Sequence, residues 1–186
     1  GGGLLTSSEV VDPPVRDGHF TADAPDLAKI ALFDRYPDED RGGFVGFLAG
    51  YGIELGAIAT TLTWETPGVL AVGTNDADLV SALGVLEGLG GGWAVAEDGA
   101  VRATLPAPIG ATCSRRPVEE TADRYDAVDD AIRDLGVDAD RPMLGLQTLS
   151  FVGTPALKIG FDGYLDIRGG KTVGLAADSS SMKSPK

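Results

Sequence analysis

His19 is the single histidine among 186 residues, and one imidazole sets a low ceiling on the chemistry available. Histidine catalysis needs a second group that orients the ring, and zinc-type centres draw on several imidazoles or thiolates. His19 has no such companion nearby in sequence and reads as a solvated side chain, so neither catalytic residues nor a metal-ligand set are assigned to this chain. A site made of carboxylates alone would have to use Asp38-Glu39-Asp40 or Asp129-Asp130. Close acids repel unless a cation sits between them, and both groups read as solvated turn and helix-face charges. Cys113-Ser114, just before Arg115-Arg116, has the look of a thiol activated by positive potential at a helix start. With no histidine near it to act as base, Cys113 reads instead as a small apolar filler. Arg115 and Arg116 can bind an anion or the carboxylates of a neighbouring domain, with unengaged surface arginine as the equal alternative. The glycine clusters Gly42-Gly43 to Gly46 and Gly90-Gly91-Gly92 match neither a P-loop nor a dinucleotide fingerprint and read as turns. Trp64 and Trp93 read as core or interface aromatics.

The elements that would position these groups fit in one domain. An apolar content of 43% over this length supports a single core. A net charge of -13 and a pI near 4.3 repel phosphate backbones and anionic headgroups, which argues against nucleic acid and membrane surfaces as partners. The single cysteine rules out an internal disulfide and suits a reducing, cytoplasmic setting. No run approaches the roughly 20 apolar residues of a membrane span, and Gly1-Gly2-Gly3 lacks the features of a signal peptide. The opening on glycine leads to the expectation of a fragment, a processed product or a separate subunit.

Residues 1–26, with Pro13-Pro14, Gly18 and Pro25, carry no sustained period and are expected to form an extended arm or linker ahead of a domain over 27–178; residues 179–186 are expected to be a disordered tail. Strands are expected at Ala28–Tyr36, closed by the turn residues Pro37-Asp38-Glu39-Asp40, then at Gly42–Gly50, Leu55–Trp64 and Val69–Val72. Thr74-Asn75-Asp76 offers caps for a helix bearing Leu79, Leu83 and Leu86, which the Gly90 triplet ends. Asp98-Gly99 can supply the positive φ angles of a tight hairpin between Trp93–Ala96 and Val101–Leu105. Pro117 suits the first position of a second helix whose apolar stripe is Val118, Ala122, Tyr125, Ile132 and Leu135, ending at Gly136. Leu144–Val152 and Leu157–Ile167 are expected as strands, the latter turning at Asp162-Gly163. This order favours an α+β fold, a largely antiparallel β-sheet with helices packed on one face and a possible ββα duplication.

Read as blocks, the chain resembles a known family. Phe44-Val45-Gly46-Phe47 to Gly50-Tyr51-Gly52, Gly56-Ala57-Ile58-Ala59-Thr60-Thr61 and Val72-Gly73-Thr74-Asn75-Asp76-Ala77-Asp78 are similar to the C-terminal domain of bacterial and archaeal adenine deaminases. Gly90-Gly91-Gly92-Trp93-Ala94-Val95, Leu105-Pro106-Ala107-Pro108-Ile109, Pro117-Val118-Glu119-Glu120, Pro142-Met143-Leu144, Leu149-Ser150-Phe151, Leu157-Lys158-Ile159 and Asp162-Gly163-Tyr164-Leu165-Asp166-Ile167 continue the similarity in order. The resemblance implies a three-part amidohydrolase: a metal-binding barrel converting adenine and water to hypoxanthine and ammonia, a small β domain, and this domain, which completes the mouth of the active site. Its cofactor would be a divalent metal (Mn, Fe or Zn) held by the barrel. Where the family has a His-Asp-Ser-His-Asn loop expected to face that mouth, this chain has Trp64-Glu65-Thr66-Pro67-Gly68, which makes Trp64, Glu65 and Thr66 the candidates to reach a neighbour's active site. Gly110-Ala111-Thr112-Cys113-Ser114 replaces the family's Ala-Gly-Leu-Met-Ser run, a departure that fits a divergent paralogue acting on another cyclic amidine or amide.

The implied partner is a catalytic barrel in the same or a separate chain, with a homo-oligomer also expected. The alternative function is a freestanding ligand-binding or regulatory module derived from the same domain. A third is a self-sufficient hydrolase using Cys113.

Overall fold

The computed structural model describes residues 5–36, 42–65 and 67–176. After a short hairpin of β1 (Val15–Arg16) and β2 (His19–Phe20), the chain builds β3 (Leu27–Asp34), β4 (Gly43–Ala49), β5 (Ala57–Thr60), β6 (Gly68–Gly73), α1 (Asp76–Leu89), β7 (Gly92–Glu97) and β8 (Ala100–Pro106). Then come α2 (Val118–Asp134), α3 (Pro142–Gln147), a 3₁₀ turn at Thr148–Ser150, and β9 (Leu157–Gly160), β10 (Gly163–Asp166) and β11 (Lys171–Val173). The six strands of the main sheet lie in the order β4-β3-β6-β5-β7-β8, every neighbouring pair antiparallel, and β11-β10-β9 form a separate antiparallel sheet. The fold is α+β and mainly antiparallel.

The parity of the central strands explains the layering. Ala57, Ala59, Ala71, Ala94 and Ala96 project from one face and let α1 come close, through Leu79, Ala82 and Leu86. Ile58, Leu70, Val72, Trp93 and Val95 project from the other, where Val128 and Ile132 of α2, Met143 and Leu146 of α3 and Ile159 of β9 cover them. Each such buried Leu or Ile contributes roughly 1.5–3 kcal/mol relative to exposure. The expectation of helices on one face is therefore corrected: β5, β6 and β7 are apolar on both sides, so both sides must be covered. The same fact limits the ββα echo to element order. A two-fold relating antiparallel β5 and β7 would stand perpendicular to the sheet and put α1 and α2 on one face, and they lie on opposite faces.

Local signals set most boundaries. Asn75 caps α1, its side chain accepting from the Asp78 amide, and Gly90 at φ 71 ends it. Asp98 and Gly99, at φ 53 and 73, make the tight turn between β7 and β8. Pro117 stands at the cap of α2, one residue before the position expected. The expected strand over Leu144–Val152 is instead α3 and the 3₁₀ turn. Pro142 starts that helix, and Met143 and Leu146, three apart, both reach the core. The second apolar run divides as β9 and β10 around Phe161-Asp162. The turn at Pro37–Asp40 and the tail over 179–186 lie outside the described residues.

The open edge of β4 is met by Tyr164 from β10. Its hydroxyl accepts from the Phe47 amide at 2.5 Å and donates to the Phe47 carbonyl at 2.8 Å, while its ring stands edge-on to Phe44 at 4.9 Å. Tyr51, between the sheet and α3, donates to the Pro142 carbonyl at 3.2 Å. Burial, and secondarily the charge of Asp129, hold its phenol well above the ordinary value of 10.0. A phenol raised in the folded state contributes stability that is complete below the unfolded value and is lost as pH rises past it. Urea midpoints are therefore expected to fall progressively as pH rises above about 10, and Tyr51→Phe to flatten that fall while costing about 1 kcal/mol at neutral pH. An alkaline limb of unchanged steepness in the variant would refute this assignment.

Candidate functional site

The strand registers gather the candidate residues at one end of the main sheet. Thr60 pairs with Leu70 and Trp93, Asp34 with Gly68, and Gly92 with Pro106, so the segments after β3, β5 and β8 and before β6 and β7 all emerge together. Two of the expected site segments start there, the loop after β5 and the segment leading to Arg115 and Arg116.

The loop after β5 is closed on itself, with the Thr63 hydroxyl accepting from the Gly68 amide at 3.1 Å and lying 3.3 Å from its carbonyl. Trp64 is tied down: its amide donates to the Ser150 hydroxyl at 3.2 Å and its indole stands edge-on to Phe151 at 5.0 Å. Glu65 projects at the loop's exposed tip in the left-handed region, φ 54. Thr66 lies outside the described residues. Of the three candidates, Glu65 is the one described with a free and exposed position, while Trp64 is half committed to packing.

Arg115 is exposed and has no ion-pair partner among the described residues, whereas Arg116 is spent locally on Glu120 one helical turn on, which Arg124 also approaches at 3.8 Å. Cys113 is exposed, in a tight loop closed by paired backbone bonds to Ile109, several residues ahead of the first turn of α2. The helix-start activation considered for its thiol has no geometric basis there. His19 is exposed in β2. Asp129 pairs with Arg133 at 2.9 Å, Asp130 is exposed on α2, and Asp38-Glu39-Asp40 lie outside the described residues. Among the described residues no three of His, Cys, Asp and Glu converge as a metal site, and no helix is long and apolar enough to cross a membrane.

Polar residues that sequence reasoning passed over organise this end. Thr61 donates from its hydroxyl to the Ala111 carbonyl at 2.6 Å and accepts from the Gly92 amide at 2.8 Å, joining the 109–113 loop to the sheet. Arg35 donates to the Thr61 carbonyl at 3.3 Å and to the Tyr36 hydroxyl at 3.3 Å, with its guanidinium 5.3 Å from the Tyr36 ring centre. Lys158 is buried in β9, which packs against the 3₁₀ turn that holds Trp64, and burial lowers its ammonium below the ordinary range. The one available hint was the glycine triplet, since a run of backbone without side chains marks close approach of another segment. Gly91 makes that approach: a Cβ there would lie 2.6 Å from that of Ala111.

Comparison with known proteins bears on this arrangement. A family profile described as adenine deaminase C-terminal domain matches residues 3–171. Adenine deaminase of Moorella thermoacetica is 40% identical over 166 residues, 89% of this chain and 28% of that protein, and that of Oleidesulfovibrio alaskensis is 36% identical over 167 residues, 89% and 29% respectively. Adenine deaminase 2 of Shouchella clausii is 34% identical over 180 residues, 97% of this chain and 31% of the relative. The chain thus spans less than a third of the length of these curated relatives.

Proposed function

The chain belongs to the adenine deaminase C-terminal domain family, and from that membership we propose that it acts as the C-terminal accessory domain or subunit of an adenine-deaminase-like, metal-dependent amidohydrolase. The reaction is hydrolysis of adenine with water to hypoxanthine and ammonia, or of a related cyclic amidine or amide. The observation that carries the reading is the match along nearly the whole chain, with the strand-end loop held rigid by Thr63, Ser150 and Phe151.

Among the described residues no group of three His, Cys, Asp or Glu side chains comes together to hold a divalent metal. The metal, Mn, Fe or Zn, is assigned to a catalytic barrel in the same or a separate polypeptide. The contribution of this chain is at the mouth of that barrel. Trp64, packed on Phe151, shields one side from water, and the Glu65 carboxylate at the tip accepts a hydrogen bond from an amino or ring N–H group of the substrate. The exposed free thiol of Cys113 suits a reducing cytoplasm.

The test is a chimera in which residues 3–171 replace the matched segment of the Moorella thermoacetica enzyme. It is expected to convert adenine, and Glu65→Ala within it to raise KM roughly tenfold with a smaller change in kcat, the size of one charge-assisted hydrogen bond made to bound substrate. A folded chimera that carries its metal by elemental analysis but converts no adenine would sink the reading. An unmoved KM would sink the part given to Glu65.

A further inference from the structure

The apolar stripe of α2 divides in the folded chain. Val128, Ile132 and, just past the helix end, Leu135 enter the core. Val118, Ala122 and Tyr125 share one side of the first half of the helix and are left in water, Val118 at 75% and Tyr125 at 45% exposed. None of residues 118–127 is buried, and no side-chain hydrogen bond caps the start of α2. Apolar residues scattered singly over a surface need no cover, but three in register along more than two turns form a seam, on the side where a surface helix ordinarily carries polar groups.

The charges at the two ends of the seam say what covers it. Arg115 stands just ahead of Val118, and Asp126 stands beside Tyr125; both are exposed and neither has an ion-pair partner among the described residues. Ala122, the smallest of the three apolar residues, lies midway, where a second helix axis can come closest. A second α2 crossing this one antiparallel at Ala122 sets Val118 of each copy against Tyr125 of the other. The same arrangement brings Arg115 of each copy within side-chain reach of Asp126 of the other and opposes the two helix dipoles. A parallel crossing would instead place Arg115 on Arg115 and Asp126 on Asp126. We propose that the first half of α2 is a self-association surface, through which two copies of this chain pair about a two-fold axis at Ala122. The net charge of -13 opposes association at long range, but charges separated by more than about 8 Å are largely screened at physiological salt, so the local pattern decides. A seam of three apolar residues a side gives a weak dimer, with a dissociation constant on the order of 0.1 mM.

The proposal does not rest on the deaminase reading, and it is tested on the chain itself by sedimentation equilibrium at physiological salt. Between about 10 µM and 1 mM the mass is expected to rise from monomer toward dimer. Ala122→Glu sets acid on acid at the crossing, and is expected to leave a monomer throughout while circular dichroism and the unfolding midpoint stay near wild type, because the position is exposed. Arg115→Asp and Asp126→Arg are each expected to weaken association about tenfold, and the two together to restore it to within about threefold of wild type, a rescue that loss of structure at either position would not give. Amide hydrogen exchange over residues 119–126 is expected to slow with concentration in the wild type and not in Ala122→Glu. A chain that stays monomeric to about 1 mM, a dimer unmoved by folded Ala122→Glu, or charge variants whose losses add in the double variant would each overturn the proposal, the first of them giving the seam to a different polypeptide.

Discussion

Gly92→Ala is expected to cost about 4 kcal/mol or more, a fall in Tm of roughly 10 °C for a chain of this size, or to prevent cooperative folding. Gly92 opens β7 at φ 124, where an L side chain is strained, and a Cβ there would lie 1.9 Å from the Leu105 carbonyl oxygen and 2.9 Å from the Ala107 amide. Both atoms are backbone, so no rotamer change relieves the contact. Gly92 is also bonded on every side: its amide donates to the Thr61 hydroxyl, and its carbonyl accepts from the Thr61 amide at 3.0 Å and the Thr60 hydroxyl at 2.9 Å. Shifting it would pull Trp93 out of the core and Thr61 off the 109–113 loop. Gly84→Ala is the control, because a Cβ at Gly84, inside α1, meets nothing within 4 Å. It should gain about 0.5–1 kcal/mol from helix propensity alone. Thermal unfolding of both variants separates close backbone approach from a general intolerance of glycine replacement: a Gly92→Ala midpoint within about 2 °C of wild type would refute the packing described.

Features written in a few adjacent residues were legible without the structure. Asn75 ahead of Asp78, Gly90 after Leu89, and Asp98-Gly99 between two apolar strands each satisfy a local backbone demand, and each does so in the folded chain. The family blocks were legible for a similar reason, since they run in order along the chain. What failed needed partners distant in sequence or a choice between periods. The apolar run after Pro142 has too few residues to show whether it repeats every two or every 3.6, and the choice of strand lost to a proline-started helix with Met143 and Leu146 inward. The alternation Ala57-Ile58-Ala59 carried the message that both faces are buried, yet small and large apolar residues look alike to a simple apolar-polar pattern. At the candidate site, the loop carrying Trp64 and Glu65 could be located, but its anchors could not: Ser150 and Phe151 lie more than 80 residues on, and Thr61 meets Ala111 at a separation of 50. Arg115 and Arg116, neighbours in sequence, separate in role because Glu120 engages only the second of them.

Asp78 carries the other large effect. With Asp76 it lies in the first turn of α1, where a carboxylate suits the positive end of the helix. It is 3% exposed, and both carboxylate oxygens are engaged: one accepts from the Gly99 amide at 2.7 Å, the other from the Asn75 side-chain nitrogen at 2.7 Å. Asn75 in turn accepts from the Asp78 amide at 2.9 Å, so a reciprocal cap at the helix start is extended to the tip of the β7–β8 hairpin. Asp78→Ala strands the Gly99 amide and the Asn75 side chain together. Charge-assisted bonds contribute about 1.5–3 kcal/mol each, offset in part by relief of the buried charge, which leaves an expected loss of about 3 kcal/mol. Asp78→Asn keeps one acceptor but turns an N–H₂ toward a neighbouring donor, and should fall between, near 2 kcal/mol. Urea unfolding should rank wild type, Asn and Ala in that order, and hydrogen exchange should show the Gly99 amide losing protection in Asp78→Ala, since that bond is what holds the hairpin tip to the helix. If Asp78→Ala unfolds within about 0.5 kcal/mol of wild type, the carboxylate is a bystander and α1 is held to the sheet by its alanine-lined face alone.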